Sequence, residues 1–276
     1  MNPTVVEHIE VLVNGHHVML RAGGLAGLEL KQEAVAQGAE LQLGFDMWGY
    51  WGNRWVAVYD ANVIDMRHGQ EFLAVTTDDH GPPLPGPAAE HPDPPASGWR
   101  LVLPPPLWAD LSGHLLADGG EHAAVLLADW SRDPRGLRLQ GRTLIAADDD
   151  ADYLQGSTGY RSLTSEFIRD AALRSRDQRC AYLAVHNHQD AGPASFSHVE
   201  LAGHERGYPA LRRITGQPVG AFVLTTRTAA GDLWLPDGTR ESAAFRLVRQ
   251  VEHDPSHPSL TMFPLVERCA DPSRAQ

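Results

Sequence analysis

Residues 181–205 read AYLAVHNHQDAGPASFSHVELAGHE, and this stretch carries most of the information in the chain about fold and chemistry. The apolar run 181–185 predicts a buried strand that leads directly into His186, Asn187 and His188. Alternate residues of a strand point to the same face, so the two imidazoles can converge on one ion while Asn187 points away. Because the chain has 14 histidines, such a pair also arises by chance and needs support from its surroundings.

The residues after the histidine pair supply a third candidate ligand. A loop with glycine and proline, 189–195, is followed by Ser197, where a helix is predicted to begin. The first turn of that helix would bring the carboxylate of Glu200 back toward the strand end. Two imidazoles and a carboxylate with an open fourth position are typical of a catalytic zinc site. Ser197 and Glu200 also fit a capping box, which would only stabilise the helix start.

A hydrolytic metal site also needs a carboxylate that acts as a base without binding the metal. Glu121 is the predicted base, because it follows two glycines and immediately precedes the apolar strand 123–128. Asp118 and Asp129 lie nearby in the sequence and are the alternatives. His122, His198 and His204 are expected to be bystanders, with support of the ligands by His204, one helical turn beyond the predicted carboxylate ligand, as the alternative.

This four-part pattern resembles the JAMM metalloproteases, the JAB or MPN-plus family that removes ubiquitin and ubiquitin-like proteins. The family pattern is an upstream glutamate, a His-x-His pair, about seven residues, and then Ser-x-x-Asp. Here Glu121 precedes His186 by 65 positions, and eight residues separate His188 from Ser197. The resemblance covers roughly residues 99–251, and the runs 205–211, 218–221 and 231–234 resemble a bacterial branch found beside ubiquitin-activating-enzyme-like proteins.

Two residues depart from the family pattern. Glu200 stands where the family usually has aspartate, and Gln189 replaces the proline that commonly follows the second histidine. The extra loop residue could accommodate the longer glutamate side chain. Because Glu200 is a candidate ligand, its replacement of aspartate affects the expected metal affinity and activity.

The resemblance implies one Zn²⁺ per chain, held by His186, His188 and Glu200. It implies cleavage of a peptide or isopeptide bond after the C-terminal glycine of a bacterial ubiquitin-like protein, with Glu121 as the proton-transferring base and Ser197 as a hydrogen-bond donor to the oxyanion. The expected partners are that protein or its conjugates, together with ubiquitin-activating-enzyme-like and conjugating-enzyme-like proteins. The alternative is a catalytically inactive MPN-type scaffold that binds such proteins without hydrolysis.

The sequence pattern of residues 7–75 predicts a separate N-terminal domain. Residues 7–20 indicate two strands around an Asn14-Gly15 turn, and a helix follows over 26–37. The residues predicted to face the core from this helix are Leu28, Leu30, Ala34 and Val35. Further strands are predicted at 41–45, 54–58 and 70–75. This order is that of a β-grasp domain, and the hairpin, the helix start at 28–31 and the segment 65–75 resemble ubiquitin-like modules of the multiubiquitin type.

A proline-rich stretch, 81–98, separates this part from the rest, and with the prolines at 104–106 it predicts an extended spacer without helix or central strand. The predicted organisation is a ubiquitin-like β-grasp domain at 1–80, a linker at 81–98 and a JAB/JAMM domain at 99–276. A surface loop within a single domain is the alternative. The N-terminal domain could be a precursor cleaved in the linker or a permanent domain, and the prolines after both linker glycines favour the permanent one.

Beyond the linker, strands and helices alternate, which indicates an α/β (α+β) structure with a mixed sheet flanked by helices. The resemblance implies the cytidine-deaminase-like arrangement of the JAB/MPN fold. Predicted strands are 123–128, 143–147, 181–185, 219–224 and 232–235, with a helix at 164–174.

Composition narrows the function classes. Acidic residues outnumber basic ones by 35 to 23, for a net charge of -12, which disfavours a nucleic-acid groove. Two cysteines, 89 positions apart, give neither a disulfide framework nor the Cys-x-x-Cys pair of a zinc deaminase. The chain has no apolar run of membrane-spanning length and no signal-like start, so we expect a cytoplasmic protein without membrane contact.

Overall fold

The computed structural model describes residues 8–76, 98–118, 120–134, 136–154, 162–188, 193–250 and 259–264, with 244–250 and 259–264 described as backbone. Within these ranges the chain is a mixed α+β structure, built mostly from sheet and containing four helices. This confirms the predicted class. The predicted linker lies almost entirely outside the described residues, so the domain boundaries stay a prediction.

The first sheet has the strand order β2-β1-β7-β4-β5, and a two-stranded ribbon, β3-β6, lies beside it. The strands are β1 (His8–Val13), β2 (His16–Arg21), β3 (Gly24–Ala26), β4 (Asp46–Trp51), β5 (Arg54–Val58), β6 (Val63–Asp65) and β7 (Glu71–Val75), with helix α1 (Gly27–Ala36) after β3. β1 and β2 form the predicted hairpin, in which Asn14 (φ 50°) and Gly15 (φ 74°) adopt the left-handed turn that Asn-Gly favours. β7 is parallel to β1 and antiparallel to β4.

Two details of this first part were predicted wrongly. Leu30 and Ala34 of α1 are fully buried, but Leu28 and Val35 are exposed, because the buried stripe of the helix runs through Lys31 instead. The Lys31 ammonium donates to the carbonyls of residues 43 and 45, at 2.6 and 3.0 Å. These backbone groups are therefore not available to a sheet. Residues 41–45 form no strand, and the next strand, β4, begins at residue 46.

The second sheet has eight strands, which pair in the closed order β10-β8-β15-β14-β13-β12-β11-β9. The strands are β8 (Gly98–Leu103), β9 (Ala123–Asp133), β10 (Gly136–Ala146), β11 (Ala181–Asn187), β12 (Val219–Leu224), β13 (Thr228–Trp234), β14 (Arg240–Gln250) and β15 (Ser259–Pro264). The helices are α2 (Pro105–Leu115), α3 (Ser165–Gln178) and α4 (His198–Thr215). β11 lies between β12, to which it is parallel, and β9, to which it is antiparallel.

Helix α2 contradicts the expectation that prolines 104–106 exclude a helix. It begins at Pro105, and prolines occupy its first turn, where backbone N–H groups have no partner within the helix and none is lost. The predicted start of α3 is confirmed, since the Thr164 hydroxyl caps it by accepting from the Phe167 N–H at 3.3 Å. Strands β8, β14 and β15 were not predicted.

Two apolar clusters hold the second sheet in place. One lies on the face toward α2 and includes Leu126, Leu183 and Phe222. The other lies on the opposite face, where Val125 and Tyr182 pack against α3 and α4. Strands β9 and β11 are thus covered on both faces, which explains their continuous apolar runs. This packing fixes the start of α4 close to the end of β11.

Candidate metal centre

Three side chains meet where β11 ends and α4 begins. His186 Nε2 lies 2.6 Å from Glu200 Oε1, and His188 Nε2 lies 3.2 Å from the same oxygen. The two Nε2 atoms are 3.2 Å apart. Each residue offers one ligand atom, and the three atoms lie within 4.8 Å of one another, so the group could bind a metal ion. Among the described residues no fourth histidine, cysteine or carboxylate joins this cluster.

The start of α4 explains how one glutamate can serve both the helix and the cluster. Ser197 Oγ accepts from the Glu200 N–H at 3.2 Å, and the Ser197 N–H donates to Glu200 Oε2 at 2.6 Å. This is the capping box that the sequence allowed. It uses only Oε2 and leaves Oε1 facing the imidazoles. The cap and the ligand interpretation are therefore compatible, with one carboxylate oxygen for each.

The cluster combines a buried anion with accessible imidazoles. Glu200 has a side chain only 4% exposed, whereas the side chains of His186 and His188 are 23% and 24% exposed. Burial alone would raise the pKa of Glu200, but hydrogen bonds from His186 and His188 outweigh it and hold the pKa far below its usual range. The carboxylate is therefore ionised at neutral pH, and the two imidazoles beside it are partly exposed to solvent.

Asn187 points away from the imidazoles, as the strand alternation predicts, and its side chain has a specific partner. Its Oδ1 accepts from the His122 N–H at 2.7 Å, and its Nδ2 donates to the Gly120 carbonyl at 3.0 Å. Asn187 is buried, with 2% of its surface exposed. The amide thus ties the backbone on both sides of Glu121 to the strand that carries the histidines. Sequence reasoning missed this role, although a polar residue within a buried strand was a usable signal.

Glu121 itself is half-buried and lies two residues before Ala123, which pairs with His186 across β9 and β11. It is not one of the three clustered residues. Ser197 is exposed at the start of α4. The structure therefore brings the three predicted ligands together, and the predicted base lies just before β9, the strand that pairs with the histidine-bearing β11. Residues 189–192, which include Gln189, lie outside the described residues.

His204 is buried and is not one of the three clustered residues. Its Nδ1 lies 2.9 Å from Asp232 Oδ2, and Asp232 also accepts two hydrogen bonds from Arg240, both at 2.9 Å. Burial would raise the pKa of Asp232, but its hydrogen bonds with His204 and Arg240 lower it overall. The Phe196 ring lies between the His204 and His186 rings, with centroid distances of 4.9 and 6.2 Å. Phe196 thus separates His204 from the candidate ligands, and a supporting role for His204 stays a prediction.

Comparisons with known proteins assign no family. No family model matches the chain, and no curated protein matches it. Among solved structures, the STIL N-terminal domain of Trichoplax adhaerens aligns at 8% sequence identity with a TM-score of 0.22, over 56% of this chain and 46% of that one. The alignment thus spans less than half of that structure, and a similarity at this level supports no assignment of fold or activity. Within the described ranges, no helix has the length and apolar character to cross a membrane.

Proposed function

We propose that this protein is a zinc-dependent hydrolase of the JAMM type, which cleaves the peptide or isopeptide bond after the C-terminal glycine of a ubiquitin-like protein. The observation that carries the proposal is the convergence of His186, His188 and Glu200 Oε1 at the junction of a strand and a helix. Two imidazole nitrogens and one carboxylate oxygen form a donor set found in catalytic zinc sites.

The residues present fit a zinc ion. Both imidazoles direct Nε2 toward one carboxylate oxygen, and the side chains remain about a quarter exposed, which allows a solvent molecule or a substrate to reach the centre. The second oxygen of Glu200 is fixed by the Ser197 N–H, and this contact orients the ligand. Zinc held by three protein ligands activates water as a nucleophile near neutral pH.

The other residues supply proton transfer and charge stabilisation. Glu121 would accept the proton of the attacking water and pass it to the leaving amine as the carbon–nitrogen bond breaks. Asn187 would hold Glu121 in place through the two hydrogen bonds to its neighbours. The Ser197 hydroxyl accepts a hydrogen bond from the backbone and can still donate its own hydrogen to the developing oxyanion.

The topology of the first sheet supports a ubiquitin-like system. A hairpin, a helix and a last strand inserted parallel to β1 in the middle of the sheet are features of a β-grasp domain. A hydrolase joined to such a domain would act on a related protein or its conjugates, alongside activating-enzyme-like and conjugating-enzyme-like proteins.

A binding scaffold without hydrolysis is the second candidate. It is favoured by Glu200 itself, which stands where the JAMM pattern has aspartate and which uses one oxygen for the helix cap. A scaffold would retain the fold and the partner but would release no product.

Hydrolysis of a fusion between a bacterial ubiquitin-like protein and a reporter tests the proposal. We expect the wild-type protein to release the reporter with zinc present, and Glu121→Gln to lose that activity while it retains the metal. His198→Ala is the matched control, because His198 is exposed on α4 and is not part of the cluster. Equal turnover by wild type and Glu121→Gln would refute the assigned base, and absence of turnover across a panel of fusions would favour the scaffold.

A further inference from the structure

The central strand of the first sheet is buried on both faces. Phe72 and Ala74 of β7 pack in the cluster on the α1 side of the sheet. Leu73 and Val75 pack instead in the cluster formed with α3 and α4. All four residues are at most 1% exposed. A sheet with one face in solvent would show alternating burial at these positions, so the second face is covered by the helices of the other part of the chain.

Arginine side chains of α3 and α4 make further contacts with the N-terminal part, beside the apolar residues of β7. Arg176 of α3 lies 2.7 Å from Glu71 of β7, and the Arg169 guanidinium lies 4.0 Å above the Trp48 ring. On α4, Arg213 lies 2.9 Å from Glu40. Arg213 lowers the pKa of Glu40 by hydrogen bonding. Each helix therefore forms an ion pair with an acidic residue of the N-terminal part, α3 with Glu71 and α4 with Glu40.

Small residues allow α4 to approach the sheet closely. A Cβ atom at Gly207 would lie 2.7 Å from the Thr76 side chain at the end of β7. Ala210, one turn further along α4, is 1% exposed and belongs to the core cluster of the first sheet. The middle of α4 is thus shaped to fit this surface, while its first turn carries the metal-site carboxylate.

From these contacts we infer that residues 8–76, the N-terminal unit, are a permanent partner of α3 and α4 rather than a product released by cleavage. Release would expose Leu73 and Val75 on one side and apolar residues of both helices on the other, which is unfavourable in water. The face of the first sheet that carries Leu73 and Val75 is already covered by α3 and α4 of the same chain. If the proposed hydrolase function holds, a ubiquitin-like substrate must therefore bind to a surface other than the part of α3 and α4 that contacts the N-terminal unit.

Cutting the linker tests this inference without a measurement of metal binding or of hydrolysis, so the outcome is independent of the proposed function. A site for a sequence-specific protease is placed within residues 83–92 of the full chain and cut to completion. We expect the two fragments to co-elute in size-exclusion chromatography at about 1 µM protein, where partners of weaker than micromolar affinity separate. Separate elution of the fragments would overturn the inference.

A paired substitution identifies the contact surface. Ala210→Arg places a bulky charge inside the contact, and we expect the cut fragments of this variant to elute separately. Ala36→Arg is the matched control, because Ala36 is exposed on α1, and its fragments should co-elute like those of wild type. Identical elution of the two cut variants would overturn the assignment of this face. The first experiment leaves both contact surfaces unchanged, so its result stands even if one of these two variants fails to fold.

Discussion

Asn187 gives the sharpest prediction about the site, because its side chain bonds to none of the three candidate ligands but holds the backbone on both sides of Glu121. Asn187→Ala removes the partner of the His122 N–H, which is buried, and of the Gly120 carbonyl, which is half-buried. A buried donor without a partner costs about 1–3 kcal/mol, and the half-exposed carbonyl loses a net bond of about 1 kcal/mol. We expect a loss of roughly 2–4 kcal/mol in the free energy of unfolding.

The effect on activity should exceed this loss of stability. With its neighbours released, Glu121 would move relative to the metal, and a displacement of this kind costs on the order of 100-fold in turnover. Zinc content should stay unchanged, since the substitution removes no ligand. The assays are urea denaturation, elemental analysis and hydrolysis per folded molecule.

Asn14→Ala is the matched control for this prediction. Asn14 is also buried, and its amide exchanges two hydrogen bonds with the backbone of Ala74 in the first sheet. Asn14 has a positive φ, so alanine adds strain there, and the loss of stability should be at least comparable. Turnover per folded molecule should stay near wild type. Unchanged turnover in Asn187→Ala, or loss of zinc from it, would refute the positioning role.

Two further predictions concern stability. Asp232 has a lowered pKa, so its interactions with His204 and Arg240 contribute stability above the unfolded-state pKa of about 3.8, and this contribution is lost as pH falls through the folded-state pKa. Asp232→Asn should therefore lower the denaturation midpoint at pH 7. A difference between this variant and wild type that does not shrink in acid would contradict the prediction. Gly113→Ala, in open space on α2, should gain up to about 1 kcal/mol from helix propensity, whereas Gly207→Ala should gain less or lose stability because of its contact with β7, and equal gains would contradict that contact.

The parts of the site that could be predicted have strong local signals. The apolar run that ends in His186 indicates a buried strand, and the spacing of Ser197 and Glu200 indicates a helix start. Each signal depends on residues within a few positions of one another. The hairpin and helix of the first 75 residues could be predicted for the same reason, since the Asn14-Gly15 turn and the helix that follows are local features, whereas the short strands β3 and β6 were not predicted.

The parts that could not be predicted depend on contacts between distant residues. The Lys31 ammonium takes the carbonyls of residues 43 and 45 and moves the next strand, although 41–45 has a strand-like apolar pattern. The Asn187 amide bonds to residues 65 and 67 positions away, so its role depends on the pairing of β9 with β11. The burial of both faces of β7 depends on α3 and α4, which come much later in the chain.

Metal binding tests the central claim most directly. The purified protein is analysed for bound metals, and the apoprotein is then titrated with zinc, with His188→Ala and His198→Ala measured in parallel. We predict about one zinc per chain and a zinc-dependent rise in thermal stability for wild type and His198→Ala, with both lost in His188→Ala. Wild-type protein that carries no zinc and gains no stability from added zinc would contradict the assignment of His186, His188 and Glu200 as a metal centre.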